Sequence, residues 1–534
     1  MDFSCSADAD RASQDEGLVM VEVLSEYDAA CLIADGATIA TSGFVGIGTP
    51  DALLAGVQER YERTGHPAGL TLLFAAGQGD GKQRGLNRLA APGLLKRVVG
   101  GHWGLIPEVS RLALQGQVEG WNLPQGVISH LYRAIAAGQP GYFSRIGLHT
   151  FVDPRREGGK VNENSTHDLV KLMDIDGTEM LFYRSIPIDV ALLRGTTADE
   201  NGNITMEREA LTLDNTAMAM AARNSGGKVV VQVERIASAG ILNPRLVRIP
   251  QMLVDAIVVA DPELHGQTYG TAYSPAFAHQ VRVPLSTLPP MSLNARKVIA
   301  RRAAMELTPG SVINLGIGVP EGVAAVAAEE GMIDRFTLTA EPGVVGGVPA
   351  SGIDFGAATN PDAVIDQSQQ FDFYDGGGLD AAVLGMAQLD AEGNVNVSRF
   401  DDRLTGAGGF INISQSARTV VFTGTFTAGG LDVEIADGKV RIFREGVHKK
   451  IVNAVDQVTF NGKFAVQQGQ RVLYVTERAV FRTTPEGLML VEVAPGVDIE
   501  NDVLAQMSFT PIVAEEVKLM DERIFREGKM GLSM

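Results

Sequence analysis

The sequence contains few cysteines and no long hydrophobic run. Only two cysteines, Cys5 and Cys31, occur among its 534 residues. This number excludes a disulfide framework and predicts a reducing compartment, such as the cytoplasm. No apolar stretch approaches the ~18 residues of a membrane-spanning helix, so we predict no membrane association. The net charge of −19 also argues against nucleic acid as a partner, because like charges repel.

Motifs that define several common enzyme classes are missing as well. The sequence has no G-x-x-x-x-G-K-[ST] phosphate loop, no G-x-S-x-G nucleophile turn and no H-E-x-x-H zinc motif. Its eight histidines are scattered, which predicts no metal site. The dinucleotide fingerprint G-x-G-x-x-G is matched only in part: Gly316 and Gly318 fit, but Gly322 comes one residue late. Binding of NAD or FAD is therefore disfavoured.

Glycine, in contrast, is abundant at 61 residues, and one glycine-rich segment is repeated. The sequence GIGTP at 46–50 recurs as GIGVP at 316–320. Each copy follows a strand-like segment, precedes a helix-like one and leads to a second strand, at 70–77 and at 336–343. Chance recurrence in a glycine-rich chain is the alternative, but the matching flanks favour a duplication. We therefore predict an α/β fold of two related open α/β domains, with a site at their interface.

Composition suggests where the domains begin and end. Residues 1–19 are polar and acidic and lack the basic and apolar parts of a signal peptide, so we predict a disordered leader. Three prolines within 284–294 predict a linker between an N-terminal domain, 20–283, and a C-terminal domain, 295–534. Asn294 is expected to cap the first helix of the second domain. The run EEVKLMDERIF near the C-terminus predicts a closing helix.

The segment FTLTAEPGVVGG, residues 336–347, carries the candidate reactive group. Alternating apolar and polar residues predict a strand that ends at Glu341, because Pro342 cannot donate to a sheet. Gly343 and its neighbours then leave the backbone nearly uncovered. A carboxylate thus stands at the carboxyl end of a strand, where open α/β sheets bind ligands. The alternative is a solvent-exposed acid, whose replacement by Ala should cost little stability.

A carboxylate in this position can act as a base or as a nucleophile. Attack on an acyl carbonyl gives an anhydride, which is sensible only when the leaving group is as good as a thiolate. The negative oxygen that develops needs preorganised N–H donors, which glycine-rich turns supply. The sequence offers such turns at 43–48, 316–318 and 406–409.

Several motifs in a fixed order resemble those of the class I CoA-transferases, which use a glutamate. From the N-terminus they are SGFVGIGTP, NLPQGVISHLYRAIAAG, NLGIGVPEGVA, TAEPGVVGG, FDFYDGGGLD and LTGAGGFINIS. The sequence looks most like the fused-chain acetate or propionate CoA-transferases and is more distantly similar to the 3-oxoacid CoA-transferases. The acid of the family lies in an E-x-G motif, which Glu341 and Gly343 match. Pro342 stands where the 3-oxoacid branch has Asn, which favours the acetate or propionate branch.

The resemblance implies a reaction and a set of residues. CoA moves between a short-chain acyl-CoA and a free acid by a ping-pong mechanism, through a glutamyl-CoA thioester on Glu341. CoA is then a substrate, no cofactor is permanently bound, and the protein is a homo-oligomer, either a dimer or a tetramer. Gln125 is expected to orient the substrate carboxylate. The implied backbone donors to the oxyanion are Gly43, Phe44, Gly408 and Gly409, and the implied CoA-binding residues are Gly316, Ile317, Gly318, Val319, Pro320 and Gly343.

Three alternatives stay open. The same scaffold could serve an acyl-CoA thioesterase, in which water resolves the intermediate, or a transferase that is specific for 3-oxoacids. A non-catalytic protein that binds acyl-CoA or carboxylates is the third alternative. The preferred acid is also left open, because the residues of an acyl pocket are scattered over loops.

Overall fold

Two large β-sheets organise the chain in the computed structural model, which describes residues 20–284, 291–400 and 402–532. One sheet is built from the first half of the chain and the other from the second half. The predicted leader and most of the predicted linker lie outside the described residues. Within the three described ranges, no helix is long and apolar enough to cross a lipid bilayer.

The first sheet has eight strands, and every neighbouring pair is parallel. Its central strands are nearly continuous apolar runs, such as LTLLF and VALLR, because apolar clusters fill both faces of the sheet. In spatial order the strands are β1 (Glu22–Val23), β15 (Ala256–Val259), β12 (Lys228–Val233), β9 (Val190–Arg194), β2 (Thr38–Thr41), β3 (Leu70–Phe74), β4 (Leu95–Gly100) and β5 (Glu119–Asn122).

The second sheet has ten strands, of which five neighbours at its centre are parallel. In spatial order the strands are β21 (Ala363–Val364), β18 (Val344–Val345), β17 (Thr337–Ala340), β16 (Val312–Leu315), β22 (Ala381–Gly385), β27 (Thr419–Thr423), β32 (Arg471–Val475), β33 (Ala479–Thr484), β34 (Gly487–Val493) and β35 (Ile512–Leu519). The antiparallel pairs lie toward the two ends, next to β17 and next to β32.

The two sheets share one topology. The order β15-β12-β9-β2-β3 in the first corresponds to β32-β27-β22-β16-β17 in the second. The GIGTP turn follows β2, and the GIGVP turn follows β16 at the corresponding place. The predicted fold class, two related α/β units derived from an internal repeat, is therefore confirmed.

Ten helices and several small sheets complete the described part of the chain. The helices are α1 (Glu26–Cys31), α2 (Asp51–Thr64), α3 (Pro107–Leu114), α4 (Gln125–Ala136), α5 (Asn215–Asn224), α6 (Ala295–Ala304), α7 (Gly322–Glu329), α8 (Gln367–Asp375), α9 (Phe410–Ser416) and α10 (Gly462–Gln467). A three-stranded sheet contains β6 (Gly141–Ser144), β8 (Thr178–Arg184) and β7 (Val170–Ile175), and a four-stranded sheet contains β13 (Arg235–Ala237), β10 (Thr197–Asp199), β11 (Ile204–Thr205) and β14 (Val247–Ile249). The two-stranded sheets pair β19 (Val348–Pro349) with β20 (Ala358–Thr359), β23 (Gln388–Leu389) with β24 (Val395–Asn396), β25 (Arg399–Phe400) with β26 (Arg403–Leu404), β28 (Thr427–Ala428) with β31 (His448–Lys449), and β29 (Asp432–Ala436) with β30 (Lys439–Arg444).

The loop before α9 joins the two halves through backbone hydrogen bonds. The N–H of Gln125 donates to the Gly408 carbonyl over 2.9 Å, and the N–H of Gly408 donates to the Gly101 carbonyl over 2.8 Å. The N–H of Ala407 donates to Asn122 Oδ1 over 3.0 Å. These bonds place the loop against the carboxyl ends of β4 and β5.

An apolar cluster also spans the interface. Phe44 and Val45 of the first half pack with Ala340, Val344 and Phe355 of the second. The rings of Phe44 and Phe355 lie 5.7 Å apart between centroids. The carboxyl end of β17 is therefore held against the turn that follows β2.

The predicted closing helix is wrong. Its residues form β35, which pairs with β34 at the edge of the second sheet, and a short 3-10 turn at Glu522–Phe525. Val517 packs against the apolar core beside that sheet. Pairing with an open sheet edge thus overrides the helical propensity of the Glu- and Lys-rich segment.

Replacing Asn294 tests the predicted cap of α6. The Asn294 side chain accepts a hydrogen bond from the Lys297 N–H over 3.1 Å, as predicted. We expect Asn294→Ala to lower the free energy of unfolding of the second half by about 1 kcal/mol, because an N–H at the helix start loses its acceptor. Urea denaturation measures this loss. Asn294→Asp is the control, since it keeps the acceptor, and equal losses in both variants would contradict the capping role.

Candidate active site

Glu341 lies at the tip of a tight hairpin at the carboxyl end of β17. After Pro342, the N–H of Gly343 donates to the Ala340 carbonyl over 3.1 Å, and β18 returns antiparallel to β17. Gly343 has φ +119°, and a Cβ there would overlap the Ile365 carbonyl oxygen, so only glycine fits. The predicted strand end is therefore confirmed. Gly343 does not line the pocket described next, and its place in the structure is that of a turn residue.

Glu341 lines a cavity of about 210 Å³ between the two halves. No Lys or Arg side chain is among the described residues of its wall, which is mostly apolar. The first half contributes Phe44, Val45, Gly77, His102, Leu105 and Gln125. The second half contributes Asn314, Gly316, Ile317, Glu341, Phe355, Leu384, Gly385, Val397, Ile413 and the segment 405–410. The predicted interface site is thus a pocket around the predicted acid.

Burial raises the pKa of the Glu341 carboxyl above its ordinary value, and a hydrogen bond with the Asn314 side chain opposes this shift. The Asn314 amide, buried on β16, also lies 3.3 Å from both the Thr339 carbonyl and the Tyr374 hydroxyl oxygen. Tyr374 in turn donates to Thr339 Oγ1 over 2.8 Å. Because the Glu341 side chain is only partly exposed above this polar cluster, the alternative of a solvent-exposed acid is wrong.

His102 is the other titratable side chain of the pocket wall. Burial lowers its pKa to about 4, so the imidazole is neutral at physiological pH. Among the described residues of the wall there is no Lys or Arg, so none of them compensates the charge of Glu341. The site is therefore a single carboxylate in apolar surroundings.

Gly409 is the predicted backbone donor that lies next to Glu341. A Cβ built on Gly409 would be 3.4 Å from Glu341 Cγ. Within the described part of the chain, its N–H has no acceptor. The N–H groups of Gly408 and Phe44 are already bound, to the Gly101 carbonyl over 2.8 Å and to the Ile47 carbonyl over 2.9 Å. These two residues line the pocket, but their predicted role as donors does not agree with this hydrogen bonding.

Gly43, the fourth predicted donor, does not line the pocket. A Cβ at this position would lie 2.5 Å from Thr49 Oγ1 and 2.8 Å from Gln78 Cγ. Glycine is therefore required for close packing beneath the turn after β2. The structure gives Gly43 a packing role and brings no part of it to the cavity.

The GIGVP turn is divided between the pocket and the surface. Gly316 and Ile317 line the cavity, and the Ile317 side chain is 53% exposed at its mouth. Gly318 is exposed, with φ +86°, and a Cβ added at this position would have no neighbouring atom of the described chain within 4 Å. Val319 packs against the core of the second half, and Pro320 is buried. Of the five predicted CoA-binding residues in this turn, only the first two therefore line the cavity.

Gln125, the predicted substrate-binding residue, lines the pocket at the first residue of α4. Its side-chain nitrogen donates to Gln367 Oε1 over 3.0 Å. The sequence reasoning did not identify Gln367, nor the wall residues His102, Asn314 and Phe355. Asn314 could have been found, because it is the one polar side chain in the apolar strand VINL. His102 and Phe355 lie in loops without a motif.

Comparison with known proteins identifies the family. The family model for coenzyme A transferase matches residues 25–260. The chain is 48% identical over 519 residues to the caffeate CoA-transferase of Acetobacterium woodii, covering 96% of this chain and 99% of that protein. It therefore belongs to the coenzyme A transferase family and is a CoA-transferase.

Two further relatives place the chain within the family. It is 45% identical over 513 residues to the acetate CoA-transferase YdiF of Escherichia coli O157:H7, covering 96% of each protein. It is 26% identical over 515 residues to a mitochondrial succinyl-CoA:3-ketoacid coenzyme A transferase of Mus musculus, covering 92% of this chain and 89% of that protein. The closer similarity to an acetate enzyme than to a 3-oxoacid enzyme confirms the resemblance.

Solved structures agree with this relationship. The crystal structure of apo acyl-CoA transferase YdiF from Escherichia coli O157:H7 superposes with a TM-score of 0.92 at 43% sequence identity, covering 96% of this chain and 98% of that one. A second structure of YdiF, a thioester complex with CoA, matches with the same score and coverage.

Glu341→Gln tests the electrostatic environment of the acid. A buried carboxyl with a raised pKa favours its protonated form, so ionisation destabilises the folded protein as pH rises above ~4.3, the ordinary pKa of Glu. We expect Glu341→Gln to melt at a higher temperature than the wild type at neutral pH. The difference should shrink as pH falls toward 5. Thermal denaturation between pH 5 and 8 measures it, and a constant or inverted difference would contradict the burial.

Gly409→Ala tests the contact with Glu341. The added methyl would lie 3.4 Å from Glu341 Cγ and 3.3 Å from Ile413 Cδ1, which crowds the carboxylate without a severe clash. We expect turnover to fall several-fold, because contacts at these distances shift the neighbouring side chains by a few tenths of an ångström, which is less than the displacement of about 1 Å that costs 10²-fold. The melting temperature and the affinity for CoA should change little. Wild-type turnover would show that Gly409 does not act on Glu341.

Proposed function

We propose that this CoA-transferase moves CoA from an acyl-CoA to a free monocarboxylic acid through a covalent glutamyl-CoA thioester on Glu341. The observation that carries the proposal is the position of Glu341: a partly buried carboxylate in a mostly apolar pocket, with no Lys or Arg in the described wall and with Gly409 next to its side chain. A carboxylate with few water contacts is a better nucleophile than a solvated one.

The reaction follows from this arrangement in two half-reactions. A Glu341 oxygen attacks the acyl-CoA carbonyl, the C–S bond breaks, and CoA thiolate leaves an acyl-glutamyl anhydride. The thiolate attacks the Glu341 carbonyl carbon, which forms the glutamyl-CoA thioester and releases the first acid as a carboxylate. A second carboxylate then attacks the thioester, and the same steps run in reverse. Gly409 lies beside the Glu341 side chain, and its N–H has no acceptor within the described part of the chain, so we assign this N–H the role of donor to the oxygen that becomes negative.

The solved thioester complex of YdiF with CoA supports a covalent route, because that protein is 43% identical to this chain over almost its whole length. Glu341 is also better suited to nucleophilic attack than to proton transfer. A proton relay would need a second group that exchanges protons near neutral pH, and burial lowers the pKa of His102, the other titratable group of the described wall, to about 4.

The pocket wall favours acids without a second charge. Phe44, Phe355 and Phe410 line the cavity, and no Lys or Arg of the described wall is placed to pair with a distal carboxylate. Burying an unpaired charge is costly, so dicarboxylic and strongly polar acids are disfavoured. Short-chain acids such as acetate or propionate fit this description. The aromatic side chains also favour a second candidate, an aromatic acid of the kind that the Acetobacterium woodii relative is named for.

The covalent step is tested by mass spectrometry. Incubation with acyl-CoA in the absence of an acceptor acid should add CoA to the protein, since the thioester is the end of the first half-reaction. Hydroxylamine should convert the adduct to a hydroxamate, and proteolysis should locate it on the peptide that contains 336–347. Glu341→Gln is the control and should carry no adduct. Exchange by a wild-type protein that never carries CoA would contradict the proposal.

The acceptor requirement checks CoA transfer against hydrolysis and simple binding, the other two alternatives that the sequence left open. Release of free CoA at an equal rate with and without acceptor acid would favour a thioesterase. Binding of acyl-CoA without exchange or hydrolysis would favour a non-catalytic protein.

The acid range is tested by exchange with a panel of acceptors. We expect propionate, butyrate or caffeate to be used at least ~100-fold better, by kcat/KM, than succinate, because no cation of the described wall meets a second carboxylate in the pocket. Acetoacetate in the same panel tests the 3-oxoacid alternative. Comparable use of succinate would show that its distal charge stays in solvent and that the apolar wall does not select the acid.

A further inference from the structure

A chain of four buried polar side chains leads from the pocket wall into the interface. Gln125 Nε2 donates to Gln367 Oε1 over 3.0 Å, and Gln367 Nε2 donates to Asp214 Oδ2 over 2.5 Å. Ser129 Oγ donates to the other Asp214 oxygen over 2.5 Å. All four side chains are at most 4% exposed. Gln125 and Ser129 lie on α4 and Asp214 precedes α5, whereas Gln367 starts α8 in the second half.

The charge at the inner end fixes the direction of every bond in this chain. An ionised carboxylate only accepts hydrogen bonds, so Gln367 must turn its NH₂ group toward Asp214. The Gln367 carbonyl oxygen then faces Gln125, which must donate from its own nitrogen. This leaves Gln125 Oε1 on the side of the pocket, 3.7 Å from the position of a Cβ on Gly408.

The Gln125 carbonyl oxygen that faces the pocket can bind only a ligand group that donates a hydrogen bond. The free acid is a carboxylate at neutral pH and offers only acceptors. The pantetheine arm of an acyl-CoA, in contrast, carries an amide N–H close to the thioester sulfur. In an apolar wall, that N–H needs an acceptor when it leaves water, since an unpaired buried donor is costly.

We propose that Asp214 is a positioning residue that, through Gln367, holds the Gln125 carbonyl oxygen toward the pocket, where it accepts a hydrogen bond from the amide arm of the acyl-CoA. This departs from the sequence-based expectation that Gln125 binds the substrate carboxylate. The inference rests on the proposed transfer at Glu341, because it assigns a role within that site.

Asp214→Asn should reverse the chain with almost no change in shape. The introduced amide can still accept from Ser129 through its oxygen, but it presents NH₂ to Gln367 in place of a carboxylate oxygen. Gln367 then has to turn its carbonyl inward, and Gln125 has to turn its NH₂ to the pocket. We expect KM for the acyl-CoA to rise on the order of tenfold, with KM for the acid nearly unchanged.

The double variant Asp214→Asn/Gln367→Glu should restore the wild-type direction. The new carboxylate at position 367 accepts from both the introduced amide at position 214 and Gln125, so the Gln125 oxygen faces the pocket again. The number of charges also equals that of the wild type. Recovery of KM for the acyl-CoA in the double variant would show that Asp214 acts by orienting Gln125. If Asp214→Asn only disturbed the structure, the second substitution would add its own defect and KM would not recover.

The KM measurements on these variants are made at pH 8, so that the Asp214 carboxyl is ionised. Burial raises the pKa of Asp214 to about 7, although hydrogen bonds from Ser129 and Gln367 oppose the shift, so the carboxyl is ionised at pH 8. Asp366→Asn is the matched control. It removes a carboxylate from the same helix junction, where Asp366 accepts from Thr212 Oγ1 over 2.8 Å, but leaves the chain of amides intact. We expect both KM values of this control to equal those of the wild type.

The outcomes separate this inference from the proposed reaction. The covalent CoA adduct is measured in parallel on each variant. A wild type without an adduct overturns the proposed reaction, whereas an adduct in all variants with unchanged KM values in Asp214→Asn overturns only the role of Asp214. A rise in KM for the acid alone, or a double variant without recovery, also overturns it. If Asp214→Asn fails to fold, Gln367→Met tests the same point, because it frees the Gln125 amide and should raise KM for the acyl-CoA.

Discussion

The backbone hydrogen bonds between the loop before α9 and the first half are the contacts on which the site depends. Neither half contains the pocket alone: Gln125 comes from one, and Glu341 and Gly409 come from the other. The approach is possible because the loop is nearly bare. A Cβ on Gly406 would lie 2.7 Å from the Trp103 ring and 2.8 Å from the Gly101 carbonyl oxygen. The small residues of this loop therefore allow the two halves to approach closely, and this approach brings the Gly409 backbone near Glu341.

The polar groups of the pocket follow from the same closeness. Because the two sheets meet closely, little water enters the interface, and each buried polar atom needs a hydrogen-bond partner within the protein. Beneath Glu341, Asn314 Nδ2 and the Tyr374 hydroxyl have such partners, although Asn314 Oδ1 has none among the described residues, and Gln367 is the partner behind Gln125. Within the described wall, the Glu341 carboxylate has only neutral side chains around it, so its negative charge is not compensated there.

The sequence predicted the architecture well where local signals and global structure agree. The repeated GIG turns, the apolar parallel strands and the Asn294 cap all recur in the structure, because each is fixed by backbone chemistry within a few residues. The C-terminal segment was predicted wrongly, since its Glu- and Lys-rich sequence favours a helix while an open sheet edge offers it a partner.

The residues of the candidate site also fall into two groups: those that local sequence features predict and those that only the folded structure shows. Glu341 is recognisable from its strand end and its Pro-Gly turn, which are local features. The bound N–H groups of Phe44 and Gly408 are not recognisable, because their acceptors are set by the folded backbone and, for Gly408, lie in the other half of the chain. His102 and Phe355 reach the pocket from loops, and only the folded chain brings them together.

The cost of ionising Glu341 has a consequence for the covalent state of the protein. Burial disfavours the charged carboxylate, but a thioester or an anhydride at the same carbon carries no charge. In the proposed covalent route, forming the acyl bond on Glu341 would therefore remove the desolvation cost that the free carboxylate bears. Part of the energy of the incoming thioester would be conserved in this way, because the CoA-loaded protein of that route carries a neutral group in the pocket where the free protein carries a charge.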